Sequence, residues 1–409
     1  CMQSNQIKSN QDVHAFVLEK VKTWTSGVGV LAEAAELYPQ AAFGALSKSL
    51  QFQWSYLQRV VPNCESSFEN LSNALNDIFW PALFQGTVSD SEKKLFSLPA
   101  RHGGLGIRDP LSTAVSSFAS SRKCTAHIVD AIKCNSSFSV FNHIDHLSKL
   151  HRELNHDIEI QYQNLLNSVL QTFDNNKKRA IQRGIDGKTS AWLTVIPMAY
   201  HHFDLSATEF RDSLALRYHR PLLRLPALCD GCGSQFSTGH ALDCRKGGLV
   251  IQRHNEIRDA LGDLASIAYK DVVREPVVRE PNDHEKVPAL VADLSVRGVW
   301  QPQATTFVDV RVVDSDANSY LHRDVGAVLS SIEHTKKHKY SQAAETINAS
   351  FTPFVVTADG ALGLEAKTFI RHLAEKIAAI LTVKCWAMCV QECFLLSFVQ
   401  QICAFAAVE

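Results

Sequence analysis

Residues 289–313 read ALVADLSVRGVWQPQATTFVDVRVV, two apolar, β-branched runs that each enclose one carboxylate, Asp293 and Asp309. The runs Ala289–Arg297 and Thr305–Val313 predict neighbouring strands joined by a loop carrying Trp300, Gln301 and Gln303, a plausible place for DNA contact. A carboxylate amid strand residues is costly unless it is hydrogen-bonded or metal-bound. Two on adjacent strands repel unless a cation lies between them. Carboxylates converging on a divalent cation, with a positive group beside the scissile phosphate, are what metal-assisted phosphodiester hydrolysis needs. The competing reading is a pair of unrelated strand-end or capping aspartates.

Around these strands the pattern is α/β. A helix is expected over about Ile251–Tyr269, others over about Val325–Ala349 and Leu364–Ile380, and a further strand over Phe354–Thr357, giving a short central sheet flanked by helices. Arg311 follows Asp309 by two residues, a D-x-R spacing, but an arginine cannot give up its proton at neutral pH. Lys336, Lys337 and Lys339, followed by Tyr340, lie on the next helix, and Lys337 or Lys339 is expected to serve the site. Glu256, in Arg253-His254-Asn255-Glu256, is a candidate further metal carboxylate. A solvated helix face is the more common reading of each of these lysines and of Glu256 taken singly.

Upstream, Cys229, Cys232, His240 and Cys244 form C-x2-C-x7-H-x3-C within sixteen positions. Two thiolates two residues apart can share a metal across a tight turn, and a histidine and cysteine four apart can close the tetrahedron from one helical turn. Four soft-to-borderline ligands without a carboxylate predict a structural Zn2+. Eleven cysteines, odd in number and uneven in placement, argue for an intracellular metal site against a secreted disulfide framework.

The N-terminal half reads as helical. Val13, Phe16, Val17, Val21 and Trp24 recur at helical spacing, and helices are expected at Val30–Leu37 and Ala41–Val61. Leu95–Pro110, LFSLPARHGGLGIRDP, is a glycine-rich shaped loop without the glycine spacing of a dinucleotide fingerprint. Residues 126–175, rich in Asn, Ser and His, suggest a connector with one helix from Gln161 to Phe173. Between Lys177 and Arg224 the bases Lys177, Lys178, Arg179, Arg183, Lys188, Arg211, Arg217, Arg220 and Arg224 outnumber the acids by five, either a solvated helix face or a phosphate-tracking surface. With 409 residues, 45% apolar and 20% charged at a formal net charge of −1, bulk charge gives no argument for nucleic acid. The chain opens on Cys1, which predicts a start inside a longer reading frame. No membrane span is expected; the apolar, Cys-rich end after Ile380 is interrupted by Lys384 and Glu392.

Taken together, Asp293…Asp309-x-Arg311 resembles the PD-(D/E)xK nuclease pattern, with arginine at the usual lysine position. The loop Leu95–Pro110, Ser190–Pro197, Phe210–Asp212, Leu216–Tyr218, the C-C-H-C knuckle, Arg245–Gly248, Arg253–Asp259 and the late Lys-Lys-His-Lys-Tyr resemble the C-terminal half of an early-branching non-LTR (LINE-type) retrotransposon protein. The resemblance covers about residues 10–378; the end after Ile380 departs from it, and no Tyr-x-Asp-Asp polymerase box occurs in these residues. It implies an α+β multidomain chain: a helical reverse transcriptase thumb-like remnant (1–125), a helical basic linker (126–225), a CCHC zinc knuckle (226–250), a restriction-enzyme-like endonuclease domain of α/β type (251–380) and an apolar non-family tail (381–409). It implies an intracellular, nuclear endonuclease that nicks target DNA to prime reverse transcription of the element's RNA. Asp293 and Asp309 would bind Mg2+ or Mn2+, Lys337 or Lys339 would be the migrated lysine, and Lys177, Lys178, Arg179, Arg183, Arg217 and Arg220 would track nucleic acid. Two other readings stay open: a catalytically inactive nucleic-acid-binding remnant, and an interaction protein presenting its helical half.

Overall fold

The structure, a computed structural model, describes residues 10–187, 189–198, 204–223, 225–246, 249–281 and 288–380. Lys188, Arg224, Gly247, Gly248, Cys1 and the segment 381–409 lie outside the described residues. The chain is an α+β protein whose described residues divide into two compact units, one of those within 10–174 and 196–211, the other of those within 175–195 and 212–380.

The first unit contains α1 (Asn10–Leu37), α2 (Pro39–Ala45), α3 (Gln51–Val60), α4 (Glu69–Ala74), α5 (Trp80–Phe84), α6 (Asp90–Ser97), α7 (Pro110–Lys133) and α8 (Val140–Leu170). Pro39 starts α2 where its missing N–H costs nothing. The stripe Val17, Val21, Trp24 and Val28 of α1 is buried, with Trp24 tilted against Trp54 of α3 at 6.2 Å, and in the same unit Phe84 stacks on Phe96 at 4.9 Å and Trp80 tilts against Phe96 at 5.2 Å. Segment 126–175 is not a connector with one short helix: α7 and α8 run through it as a long hairpin, started by the Asp109 and Ser139 side-chain caps.

The glycine-rich loop closes on α6 and α8. Gly103 and Gly106 hold φ of 81° and 73°, and a Cβ on Gly104 would lie 1.9 Å from the Leu98 carbonyl oxygen. Arg101 and His102 both reach Glu159 of α8, at 2.8 Å each, and the Arg101 hydrogen bond holds that carboxyl below its ordinary value. Because Gly104 abuts backbone, Gly104→Ala is expected to cost about 3 kcal/mol through overpacking. Gly106→Ala, with open space around it, should cost only ~1 kcal/mol from its left-handed φ. Denaturant melts of the two variants check the order, and equal losses would contradict the steric account.

In the second unit α9 (Asn175–Asp186), α10 (Ala207–Arg217, shared with the first unit), α11 (Thr238–Asp243) and α12 (Leu249–Ala268) precede a mixed sheet. Strands β1 (Val272–Arg274), β2 (Val277–Arg279), β3 (Leu290–Val291), β4 (Leu294–Arg297), β5 (Thr305–Val313) and β6 (Ser350–Thr357) interleave with α13 (Val325–Thr346) and α14 (Leu364–Ile380). The sheet order is β1-β4-β5-β6, with β4–β5 antiparallel and β5–β6 parallel through the α13 crossover, while β2 and β3 pair separately. Val308 and Val310 of β5 pack with Ile257 and Leu261 of α12 and Phe369 of α14, whereas Phe307 faces Tyr340 and Ala344 of α13. The expected single strand Ala289–Arg297 is broken at Asp293. There Ala292 donates to Pro276 and Glu275 donates to the Asp293 carbonyl, so β3 leaves the main sheet. Among the described residues no helix is long and apolar enough to cross a membrane.

Candidate functional site

The break at Asp293 decides the site. The β4–β5 register runs from Arg297↔Thr305 to Leu294↔Val308, and the next residue along each strand is an aspartate. Since β3 has left the sheet, the Asp293 side chain meets the neighbouring strand: its Oδ2 accepts the Val310 amide at 2.6 Å. That amide belongs to the peptide that follows Asp309, so both carboxylates flank one peptide unit of β5. The other Asp293 oxygen lies 2.9 Å from His254 Nε2 on α12. Asp309 is 5% exposed, and Lys336 of α13 donates to it. Helices from the two faces of the sheet therefore reach the acids, α12 through His254 and α13 through Lys336. Tyr340 donates to the Val291 carbonyl at 2.9 Å. Its phenol is pushed above its ordinary range, first by burial and then by Asp309 and Asp293, so both charges act on the same ring.

The lysine at the acids is neither Lys337 nor Lys339. Lys337 turns to Glu365 of α14, and Lys339 lies over the Tyr340 ring at 4.7 Å, with its amine 3.3 Å from the phenol oxygen. Arg311 is exposed and, two residues along β5, shares the side of the strand from which Asp309 projects. Glu256 does not join the site: its carboxylate accepts from Gln252 at 3.1 Å, and two residues of helix turn it roughly 200° from His254. His254 and Arg258, one turn apart, form the face of α12 toward Asp293, and Arg258 is engaged by Asp259 and Glu275. That i,i+4 spacing was the available signal for His254. Trp300 donates to Thr352 at 2.9 Å and packs on His372. Its loop follows the far end of β4, on the order of 13 Å of strand from Asp293 at ~3.3 Å per residue, and its indole turns to β6 and α14.

The basic run also differs from a free surface. Arg183 is buried between Asp316 and Asp359, and Arg179 donates to Asp316 and to the Ser315, Tyr320 and Arg323 carbonyls. Arg211 donates to the Ala35 and Leu83 carbonyls inside the first unit, and Arg217 lies buried against Tyr218. Arg220 lines a cavity with Arg183, Asp314, Asp316 and Asp359, and Lys177 and Lys178 are half-buried. A guanidinium fork matched to carboxylates and carbonyls holds structure together, which is the part Arg179, Arg183 and Arg211 play.

The knuckle brings its four residues together. All ligand atoms of Cys229, Cys232, His240 and Cys244 lie within 4.8 Å of one another, so the cluster could hold a metal ion such as zinc. The Cys229 and Cys244 sulfurs are 3.7 Å apart and Cys232 Sγ is 3.2 Å from His240 Nε2. Two thiolates on a tetrahedral zinc at about 2.3 Å stand roughly 3.8 Å apart, so the donor set fits. Gly233 at φ 72° lets its amide return to the Cys229 carbonyl at 2.7 Å, and Ser237 caps α11, which carries His240. Hydrogen bonds from Ser234 hold the Cys232 thiol down at about 6.

No protein-family model matches the chain. No curated protein matches it either. The arrangement of side chains therefore carries the functional reading.

Proposed function

We propose that the second unit is a divalent-metal-dependent DNA endonuclease, the nuclease portion of a non-LTR retrotransposon protein that nicks target DNA in the nucleus. The observation that carries this reading is that Asp293 and Asp309 flank the Asp309–Val310 peptide with Lys336 on one of them. Two carboxylates beside one lysine ammonium leave a negative site of hard oxygen donors, which suits Mg2+ or Mn2+ held by Asp293 and Asp309. When bound, the cation supplies Lewis-acid polarisation of the phosphate and a nucleophilic water. The Val310 amide and His254 fix the two Asp293 oxygens, Lys336 orients Asp309 and adds positive charge where the phosphate's charge develops, and Tyr340 walls off the α13 side. The order α12-β1-β4-β5-α13-β6, an antiparallel meander followed by a parallel strand, supports a restriction-enzyme-like core. A structural zinc in the knuckle belongs to the same reading.

The test is nicking of supercoiled plasmid by the purified chain with Mg2+ or Mn2+. Asp309→Ala and Asp293→Ala are each expected to lower the rate by about 10³-fold, the scale of losing an electrostatic contributor to the transition state. Nicking that survives Asp309→Ala sinks the assignment. One observation favours a second reading, a nucleic-acid-binding remnant without activity: Lys336 and His254 already satisfy both carboxylates. DNA binding without metal-dependent nicking would select it.

A further inference from the structure

Strands β5 and β6 run parallel and end together at Val313↔Thr357, where the Ala358 amide donates to the Val313 carbonyl at 2.9 Å. The crevice beyond the carboxyl ends of parallel strands is where open α/β sheets place their ligands. Here that crevice is a cavity of about 540 Å³, an ordinary volume for a small-molecule site, and every residue lining it belongs to the second unit. Its polar lining comes from the Asp314-Ser315-Asp316 turn after β5, Asp359 after β6 and Arg183 of α9. Leu216, Pro221 and Leu242, the last on the knuckle helix α11, give it apolar walls. The carboxylates Asp314, Asp316 and Asp359 stand against Arg183 and Arg220 in the lining and Arg179, which reaches Asp316. Such a balance favours neither a phosphate nor a cation. Arg183, 7% exposed, donates through Nε to Asp359 and through Nη1 to Asp316 at 2.8 Å, while its Nη2 has no partner among the described residues. Asp316 takes Arg179 and Arg183 on Oδ1 alone, and its Oδ2 accepts no hydrogen bond among the described residues. One ion pair thus keeps spare donors and a spare acceptor beside an apolar-walled space, and a guanidinium so buried keeps them at a cost unless something in the crevice accepts them.

We propose that this cavity receives a guanine base, its rim held between Arg183 and Asp316. Guanine is neutral and planar, with apolar faces suited to the leucine and proline walls and both kinds of hydrogen-bonding group on its rim. Its O6 and N7 accept from a guanidinium fork, and its N1–H and N2–H groups donate to a carboxylate. Adenine fits worse, because its N1 lone pair would meet the Asp316 oxygen. The nuclease reading is needed only for the source of the base. Asp314 lies five residues beyond Asp309, on the order of 16 Å along the strand at ~3.3 Å per residue. A guanine turned out of the DNA stack within about five nucleotides of the cut would reach the cavity. Free 2′-deoxyguanosine offers the same rim.

Fluorescence anisotropy of a labelled duplex with one unpaired guanine, against the same duplex with one unpaired adenine, tests this on the full chain without divalent metal. The guanine bulge is expected to bind about 10–100-fold more tightly, the scale of one matched bidentate contact. Asp316→Asn should reduce that preference to within about twofold. Because it also loosens Arg179 and Arg183, a second variant leaves the ion pairs alone. Gly239 lines the cavity and a Cβ there meets nothing within 4 Å, so Gly239→Trp should fill the space and abolish the preference while circular dichroism stays that of the wild type. NMR saturation transfer from the protein to 2′-deoxyguanosine, with 2′-deoxyadenosine as the control, reports the free base. Transfer to 2′-deoxyguanosine without a bulge preference assigns the pocket to the free nucleoside, and a bulge preference assigns it to DNA. Equal affinity for the two bulges with no transfer to 2′-deoxyguanosine overturns the site, as does a guanine preference that survives Gly239→Trp. None of these outcomes depends on cleavage: a chain that never nicks DNA and still selects guanine keeps this pocket, and one that nicks DNA and selects no base loses it.

Discussion

Chelating the metal from Cys229, Cys232, His240 and Cys244 is expected to unfold residues 226–246. Within that segment the buried described residues are Cys229, Ala241 and Cys244, two of them ligands, so there is no apolar core to fall back on. Its backbone order rests on a few turns: the Cys229 amide to Ser234, Phe236 to Ala227, and the Cys244 amide to His240. A segment this small is ordinarily held by a staple, and structural zinc in comparable peptides contributes about 10–16 kcal/mol of apparent binding free energy at neutral pH. Without the ion, only a weak sulfur–sulfur contact at 3.7 Å links Cys229 to Cys244. The loss should spread to the start of α12, because the buried Arg253 guanidinium donates to the Leu242 carbonyl of the knuckle at 3.0 Å. Amide exchange across 227–246 should rise to unprotected rates on chelation or in Cys232→Ser, and recover with zinc in the wild type alone. Protection that persists in the zinc-free chain would show that the four residues meet for another reason.

Much of this unit was legible in the sequence where pattern and burial coincide. Strand β5 spans Thr305–Val313 as its β-branched run predicts, and α13 and α14 begin at the residues expected of them. The knuckle was readable because cysteine and histidine at ligand spacing have few other uses. Strands β1 and β2, three residues each and separated by Glu275-Pro276, are too short to show a period, so they were invisible. The hairpin α7–α8 was missed for the opposite reason. Its helices are real, and α8 carries the stripe Ile144, Leu147, Leu154, Ile158 and Leu165, but no residue of 115–165 is fully buried and the surrounding Asn, Ser and His dilute the pattern. The basic run misled because sequence counts charges without seeing that Arg179 and Arg183 face Asp316 and Asp359, more than a hundred positions away. That the two aspartates sit on neighbouring segments was legible, yet their partners were not: Lys336 and Lys337 sit roughly 40° and 60° to either side of Tyr340 at about 100° per residue, a choice that only the helix's rotation against β5 makes.

That rotation yields the sharpest prediction for the site. Lys336→Met is expected to lower the nicking rate by about 10²–10³-fold, the loss seen when one preorganised positive contact to a developing charge is removed. Lys337→Met should stay within a few-fold of wild type, since its ammonium belongs to Glu365 and that carboxylate is exposed enough to be solvated. Lys336→Met also leaves Asp309, with a side chain only 7% exposed, without its cation. Breaking a fully buried pair costs about 3–5 kcal/mol. Lys336 is 22% exposed, so solvent screening reduces the expected loss to about 1–3 kcal/mol. A divalent cation at Asp293 and Asp309 would neutralise the orphaned charge, so Mg2+ should raise the melting temperature of Lys336→Met by more than it raises that of the wild type. Nuclease rates and thermal melts on the two methionine variants, with and without Mg2+, separate the roles. If Lys337→Met loses as much activity as Lys336→Met, the geometry around Asp309 is not that of the working site. If Mg2+ stabilises Lys336→Met no more than wild type, the carboxylates do not share a cation.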